Sequence, residues 1–211
     1  MKKAVFVVAM LLCGVVAANA QLRFAVGPEA GIAIISVPKP VNEYYGFGYG
    51  FGAHADMEIM KYFGLQLNLD YRLFPIDKTK FGNFIAQLGG VAPGSVTVSG
   101  LTTSDFSVML NGVGKLPLNG PVTPYAIAGL GMSFLSMSDP TITYNGQDVT
   151  ALAGVGKAPS ESDFAIDFGA GAEFKIAKSV GLFLDFRYVL IFTKTENTSF
   201  IPITVGASFY I

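Results

Sequence analysis

The chain has 211 residues, of which 51% are hydrophobic and 14% are charged, and its formal net charge at pH 7 is −1. A balance this close to neutral offers no basic face for nucleic acid. Mean hydropathy is clearly positive, yet the sequence after residue 20 lacks the long apolar run that a membrane-spanning helix needs. We therefore expect one domain whose apolar residues occupy alternating positions.

The first twenty residues have the pattern of a secretory signal peptide. A basic head at 1–3 precedes an apolar run at 4–17, which is too short to span a bilayer comfortably. Ala18-Asn19-Ala20 then forms a cleavage site, which predicts that the exported protein begins at Gln21. Cleavage would also remove the single cysteine, Cys13, so no disulfide is expected.

Alternation of apolar residues with small or charged residues runs through most of the remaining sequence. In residues 164–176, one face carries Phe, Ile and Ala, whereas the other carries Asp167, Glu173 and Lys175 among glycines. Successive strand residues point to opposite sides, so the pattern predicts strands with one apolar face. Eight strands are predicted, at residues 22–35, 47–60, 64–75, 104–115, 123–136, 164–177, 180–193 and 201–211.

The links between these strands alternate in length. Short links follow strands two, four and six, and the longest links are residues 76–103 and 137–163. Residues 51–73 recur without a gap at 168–190, so one hairpin unit is used twice. Short turns at one end and long loops at the other are typical of an outer-membrane barrel. A soluble barrel with its apolar face inside is the alternative, but rows of Phe and Leu would crowd so narrow an interior.

The end of the chain, “TVGASFYI”, places Thr204 and Gly206 before Phe209 and Ile211. This pattern resembles the C-terminal signal of proteins inserted by the barrel-assembly machinery, although the last residue is Ile rather than Phe. With “TPYAIAGLGMSF” at 123–134, nearly all of the sequence after the signal resembles the small OmpA/OmpX-like outer-membrane β-barrel family.

The resemblance implies that residues 21–211 form an eight-stranded antiparallel transmembrane β-barrel. Such a barrel would lie in the outer membrane of a Gram-negative-type cell, with both termini in the periplasm. Its partners would be outer-membrane lipid and, during biogenesis, the barrel-assembly machinery.

Charged residues on the inward faces are predicted to form a structural network that fills the lumen. An unpaired charge in a low-dielectric interior costs several kcal/mol, and pairing with hydrogen bonds offsets that cost. Paired catalytic carboxylates are the alternative interpretation. The network residues are Glu29, His54, Asp56, Glu58, Asp70, Arg72, Asp167, Glu173, Lys175, Asp185 and Arg187.

Centring the two short turns predicts which of these residues face each other. His54 would lie opposite Asp70, and Glu173 would lie opposite Asp185. Like charges directly opposite each other are destabilising, so Arg187 is predicted to bridge these two carboxylates.

His54 shares a strand face with Asp56 and Glu58, which raises the alternatives of a metal site or a hydrolytic centre. A single histidine excludes a His-rich metal site. Alternation points His54 into the lumen, and no serine lies within two positions of it on its strand. We therefore expect no catalytic residue, no metal and no cofactor, and we predict that the chain is not an enzyme.

The loops and strand ends carry the remaining features. Loop 76–103 is apolar for an exposed loop, which indicates either a binding surface or an extension of the strands above the membrane. Loop 137–163 contains Asn145-Gly146, which predicts a small hairpin. An interfacial aromatic girdle is predicted from Tyr44, Tyr45, Phe47, Tyr62, Phe63, Phe192, Phe200, Phe209 and Tyr210.

The sequence thus favours a non-enzymatic surface protein with a structural or adhesin-like role through its extracellular loops. Its candidate partner is an extracellular ligand or a host surface. The alternative is an OmpW-like conduit for small hydrophobic molecules, which needs an apolar lumen entrance or a lateral gap. Phe183, Val189 and Ile191 are the interior apolar candidates. A lipid A-modifying enzyme is the least favoured hypothesis.

Overall fold

The computed structural model describes residues 22–36, 44–118, 120–151, 160–194 and 197–211. The predicted signal peptide and the predicted start at Gln21 lie outside the described residues. In chain order the elements are β1 (Arg23–Ile35), β2 (Gly48–Met60), β3 (Phe63–Pro75), α1 (Lys78–Leu88), β4 (Val96–Ser99), β5 (Thr102–Lys115), β6 (Val122–Met137), β7 (Thr141–Tyr144), β8 (Gln147–Asp148), β9 (Ser160–Ala177), β10 (Val180–Ile191) and β11 (Thr198–Tyr210).

Eight long strands close into an antiparallel barrel in the order β1-β11-β10-β9-β6-β5-β3-β2. All eight predicted strands are present, and the fold class is confirmed. Apart from the closing pair β1–β11, every neighbour in this order is also the next barrel strand along the chain, so the barrel is a simple up-and-down meander. The short turns lie at one end, and we call the opposite end the long-loop end.

The two faces of the barrel wall differ sharply in chemistry. On β3, the outward residues Leu67, Leu69 and Tyr71 are exposed, whereas inward residues such as Asn68 and Asp70 are buried. The other strands repeat this arrangement. Apolar side chains outside and polar side chains inside are the reverse of a water-soluble barrel and fit a wall that faces lipid.

The first repeated hairpin, β2–β3, has a different register from the predicted one. His54 lies opposite Asn68 rather than Asp70. The turn is tighter than predicted, and the ladder slips at a bulge between Glu58 and Met60. A shift of two residues preserves which face each side chain occupies, so the inward assignments survive although the pairs change.

The second hairpin, β9–β10, shows the same displacement. Asp185 lies opposite Gly171, and Glu173 lies opposite Phe183. The slip again lies beside the turn, between Val180 and Gly181. The predicted like-charge pair Glu173–Asp185 is therefore wrong.

Apolar side chains meet inside the barrel towards the long-loop end. Phe74 and Phe200 are fully buried, and their ring centroids lie 5.2 Å apart. Phe200 was predicted to belong to the interfacial girdle, but β11 begins at Thr198 and places this ring in the lumen. We call this cluster the apolar layer, and its buried members are Ala33, Phe74, Met109, Ala165, Val189, Ile191 and Phe200.

The described residues of the two longest loops fold into a cap. In loop 76–103, helix α1 begins at an N-cap, Asp77, whose carboxylate accepts hydrogen bonds from the backbone N–H groups of Thr79 and Lys80, both at 3.1 Å. Strands β4, β7 and β8 form a three-stranded sheet. The loop is thus not an extension of the barrel strands, and we call α1 with this sheet the cap.

The predicted hairpin at Asn145-Gly146 is confirmed. It joins β7 to β8, and both turn residues have positive φ, 49° and 82°, as a type I′ turn requires. Hydrogen bonds from the Thr150 hydroxyl and backbone N–H anchor Asp148 after this turn and lower the pKa of its carboxyl. Within the described residues, no helix has the length and apolarity needed to cross a membrane.

Candidate functional site

Arg187 is the centre of the polar network in the lumen. Its Nε and Nη2 atoms donate to Asp185 Oδ2 at 3.1 and 2.7 Å, and Nη2 also donates to Gln66 Oε1 at 3.1 Å. Its Nη1 atom donates to Asn68 Oδ1 at 3.2 Å and lies 3.5 Å from Asp167 Oδ2. One guanidinium thus joins side chains from three strands of the barrel wall.

Glu173, the second carboxylate predicted to contact Arg187, has other partners nearer the short-turn end. It accepts a hydrogen bond from the Tyr210 hydroxyl and lies 3.7 Å from Lys115 Nζ. Lys115 also donates to Glu58 Oε1 at 2.6 Å. Lys175, which was predicted to lie in the lumen, is exposed at the rim, where its Nζ lies 5.7 Å from the Tyr210 ring centroid.

Arg72 organises a second group of polar residues nearer the long-loop end. Its Nη2 lies 3.0 Å from Asp70 Oδ2, and its Nη1 donates to Ser107 Oγ at 3.2 Å and lies 3.8 Å from Asp105 Oδ2. Asp105 was not among the residues predicted to form the network, although it is buried on the inward face of β5.

His54 contacts residues from three other strands, β1, β10 and β11. Its Nε2 lies 3.1 Å from Ser208 Oγ and 3.7 Å from Asp56 Oδ2, and its Nδ1 lies 3.2 Å from Glu29 Oε2. Its ring also packs edge-on against Phe183, with centroids 5.0 Å apart. Ser208 lies on β11, far from His54 in the sequence, so the residues around His54 do not indicate this contact.

Ser208, His54 and Glu29 are connected in the order of a hydrolytic triad, but a lipid substrate cannot reach them. All three residues are buried and face the lumen, away from the lipid whose ester bonds such a barrel could cleave. A nucleophile must lie within reach of the bond that it attacks. The Nδ1–Glu29 contact also falls outside hydrogen-bond geometry. This cluster therefore packs the wall of the lumen at the β1–β2–β11 junction.

Carboxyls outnumber cations in the buried part of the lumen. Two guanidiniums, Arg72 and Arg187, and one imidazole, His54, are the buried basic groups of the described residues. No cluster of three or more acidic, histidine or cysteine side chains in that part of the chain is arranged to hold a metal ion. The buried carboxyls belong to Glu29, Asp70, Asp105, Asp163, Asp167, Glu173 and Asp185.

A concave surface opens beside α1 in the cap. Tyr44 packs against Phe81 and Phe84 of the helix, with ring centroids 5.7 and 5.3 Å apart. The concavity has a volume of about 950 Å³, in the range of small-molecule sites. We call it the cap groove, and its lining residues are Tyr44, Lys80, Asn83, Phe84, Gln87, Gly90, Val91 and Pro93.

A second groove lies on the barrel wall beside an interruption of the β1–β11 ladder. The ladder pairs Val26 with Phe209 and Glu29 with Gly206 but has no pair between them, where Pro28 lacks a backbone N–H. This wall groove has a volume of about 500 Å³, and it is lined by Pro28, Glu29, Ala30, Leu182, Phe183, Val205, Gly206 and Ala207.

The residues of the proposed assembly signal divide between the two faces of β11. Thr204 is buried in the lumen and Gly206 is partly buried beside Phe183. Phe209 and Ile211 are exposed on the outer surface. The aromatic and the aliphatic side chain thus lie where another protein or lipid can contact them.

The family model for the outer membrane protein beta-barrel domain matches residues 4–210. The chain belongs to this family. Its exposed apolar wall therefore contacts outer-membrane lipid, and the barrel lies in the outer membrane. By sequence, the chain matches no curated protein.

Two solved structures of outer-membrane proteins are similar to this family member. A major outer membrane protein from Thermus thermophilus has a TM-score of 0.58 and 14% identity, over 90% of this chain and 99% of that chain. Neisserial surface protein A has a TM-score of 0.51 and 16% identity, over 89% and 96%. At these identities the similarity shows the fold.

Proposed function

We propose that the protein is a non-enzymatic surface protein whose cap binds an extracellular ligand or a host surface. The cap groove carries this proposal. It combines the aromatic rings of Tyr44 and Phe84 with the amine of Lys80 and the amides of Asn83 and Gln87. Aromatic faces beside convergent polar groups are the usual composition of a recognition site.

The filled lumen of the barrel supports a function at the cell surface rather than transport through the barrel. The apolar layer fills the barrel towards the long-loop end, and the Arg187 and Arg72 groups fill it with hydrogen-bonded side chains below and beside that layer. An eight-stranded barrel has just enough interior for its own side chains. Of the residues that the structure describes, those of the cap are therefore the most available for partners.

The proposed orientation follows the rule for outer-membrane barrels, with long loops outside and short turns in the periplasm. Residues 1–20 would act as the export signal, and Phe209 with Ile211 would present the chain to the barrel-assembly machinery. The cap would then extend from the cell surface.

Adhesion of cells that display the protein tests the proposed function. We expect wild-type cells to be retained on at least one of four surfaces, coated with collagen, mucin or a sulfated polysaccharide or left uncoated, more than cells with an empty vector. Replacing Tyr44 and Phe84 with Ser should lower that retention about tenfold, the effect of losing roughly 1.4 kcal/mol of binding energy. Leu88→Ser is the matched control, because Leu88 is an exposed α1 residue that does not line the groove.

Retention equal to the empty-vector cells on all four surfaces, or full retention by the Tyr44/Phe84 variant, would contradict the proposal. Surface labelling of the variant protein would verify that it reaches the outer membrane in wild-type amounts.

The wall groove supports a second candidate function, a lateral conduit for small hydrophobic molecules. Ala207→Phe would fill this groove, whereas Ala170→Phe adds the same ring to a distant outward position on β9. For a conduit, cellular uptake of an apolar fluorescent dye should fall with the first change and not with the second. Equal uptake by both variants and by cells without the protein would exclude this function.

A further inference from the structure

The wall groove is a recess in the outer surface of the barrel. Three small outward residues line it, Pro28 and Ala30 of β1 and Ala207 of β11. The next outward residues towards the short turns are Val26 and Phe209, which are 44% and 47% exposed. The wall is therefore recessed where the small side chains meet, beside the interruption of the β1–β11 ladder.

Packed side chains close the groove on the lumen side. Gly206 lies beside the interruption, and a Cβ atom on it would overlap the Phe183 ring, so this ring packs directly behind Gly206. Phe183 is 6% exposed, and its ring centroid lies 5.0 Å from that of His54. A molecule in the groove would thus rest against the wall instead of entering the lumen.

The lining of the groove suits a hydrocarbon. Of the described residues that line it, Glu29 alone is charged, and its carboxylate accepts hydrogen bonds from Asn68 Nδ2 in the lumen at 3.2 and 3.4 Å. The other lining residues are apolar, and the volume of about 500 Å³ lies in the range of small-ligand sites. Because the surrounding wall contacts outer-membrane lipid, acyl chains are the molecules that reach this recess.

The groove lies in the half of the membrane nearer to the short turns. Pro28 is five residues from Arg23, and Ala207 is three residues from Tyr210, at the short-turn ends of β1 and β11. With about 3.3 Å per residue and a strand tilt of about 40°, the groove lies roughly 8–13 Å from that rim, within an apolar band about 25 Å tall. Short turns in the periplasm would place it in the periplasmic leaflet, which consists of phospholipid.

We propose that the wall groove binds one acyl chain of a phospholipid and retains it longer than the rest of the wall retains its surrounding lipid. In hydrocarbon, association is driven by van der Waals packing rather than by removal of apolar surface from water. A chain in the recess contacts β1, β10 and β11 at once, whereas a chain on the convex wall contacts it on one side only. The choice of phospholipid rests on the proposed orientation of the barrel.

This inference is independent of ligand binding by the cap groove. It also differs from the conduit for small hydrophobic molecules, which uses the same groove. A conduit would require the Phe183 ring to move so that a molecule could pass, whereas retention of a chain requires no passage across the wall.

Photocrosslinking in vesicles tests the site. Wild-type barrels would be reconstituted with a phospholipid that carries a diazirine on one acyl chain, and the label mapped by mass spectrometry after illumination. We expect several-fold more label on the lining residues of β1, β10 and β11 than on Leu67, an outward residue of β3 that lies four residues from its short-turn end. Equal labelling of Leu67 and the groove would overturn the proposal.

Filling the recess should displace the chain. Ala207→Phe should lower the label on β1 several-fold, whereas Ala170→Phe, which adds the same ring to a distant outward position, should leave it unchanged. Ala30→Phe fills the groove from the other strand and serves if Ala207→Phe fails to fold, as judged by heat-modified mobility. Undiminished label in a folded groove variant would overturn the proposal.

The lipid class can be identified on barrels extracted from the outer membrane in mild detergent. Native mass spectrometry should find one phospholipid per chain on the wild type and on Ala170→Phe, but not on Ala207→Phe. A wild-type barrel that retains lipid A instead, or that retains no lipid, would contradict the proposal.

Discussion

Arg187 donates two hydrogen bonds to one oxygen of Asp185, which precedes it by two residues on the same face of β10. The Nε and Nη2 atoms lie 3.1 and 2.7 Å from Asp185 Oδ2. Tyr125 donates to the same oxygen at 3.3 Å. The Arg187–Asp185 pair thereby orients the guanidinium so that it can donate to Asn68 and Gln66 across the lumen.

We expect Arg187→Leu to lower the free energy of unfolding by about 3–5 kcal/mol, because it leaves buried carboxylates without their partner. Urea titration of both barrels in the same lipid vesicles measures the difference. Arg23→Leu is the control, since Arg23 is exposed at the rim and should change the free energy by less than about 1 kcal/mol. Equal midpoints for Arg187→Leu and the wild type would show that the network adds nothing to stability.

Alternation in the sequence was sufficient to predict the barrel and the direction of most side chains. Each residue of the barrel wall faces either lipid or the lumen, so the polarity of its side chain indicates which way it points. Inward placement of Glu29, Asp70 and Arg187 followed from this rule. The rule failed for Lys175 because this residue lies at the rim, where a side chain on the inward face can still reach water.

The partners of these side chains could not be predicted in the same way. The register of the two repeated hairpins depends on tight, bulged turns, which contain Lys61 and Lys178, and the sequence of these turns does not reveal the bulges. A shift of two residues also leaves the polarity pattern of a strand unchanged. The contact of His54 with Ser208 joins β2 to β11, which are not neighbours in the sheet order. Asp163 lay just outside the predicted sixth strand, because β9 begins at Ser160, four residues earlier than expected.

The seam between β1 and β11 depends on a glycine. A Cβ atom on Gly27 would overlap the carbonyl oxygen of Ala207 and lie 3.1 Å from the His54 ring. We therefore expect Gly27→Ala to prevent closure of the barrel or to lower its unfolding midpoint strongly, as judged by heat-modified mobility in electrophoresis. Gly114→Ala, whose Cβ would meet only Ala126 O at 4.0 Å, should behave like the wild type, and equal behaviour of both variants would contradict the observed seam.

The proposed assembly signal predicts a selective defect in insertion. Replacing Phe209 and Ile211 with Asp should abolish insertion into the outer membrane while export to the periplasm continues, as measured by cell fractionation. The control replaces Phe174 and Ile176 with Asp on the outer face of β9, where Phe174 is 48% exposed and Phe209 is 47% exposed. Carboxylates near the membrane interface cost little, so the control should insert; normal insertion of the first variant would refute the signal.

The proposed orientation can be tested by labelling single cysteines in a Cys13→Ser background. A membrane-impermeant maleimide added to intact cells should label Leu88→Cys, which lies in the cap and is 71% exposed. It should label Lys178→Cys, in the exposed β9–β10 turn, only after the outer membrane is permeabilised. The opposite labelling pattern would show that the barrel has the inverse orientation, with the cap in the periplasm.

Conductance across a planar lipid bilayer tests most directly whether the lumen is closed and the protein acts through its cap. The apolar layer and the Arg187 group fill the lumen, so reconstituted wild-type barrels should show no steady conductance above that of the bare bilayer. Insertion must be verified by protease protection of the same preparation. A large steady conductance from inserted wild-type barrels would contradict the closed lumen and favour a conduit.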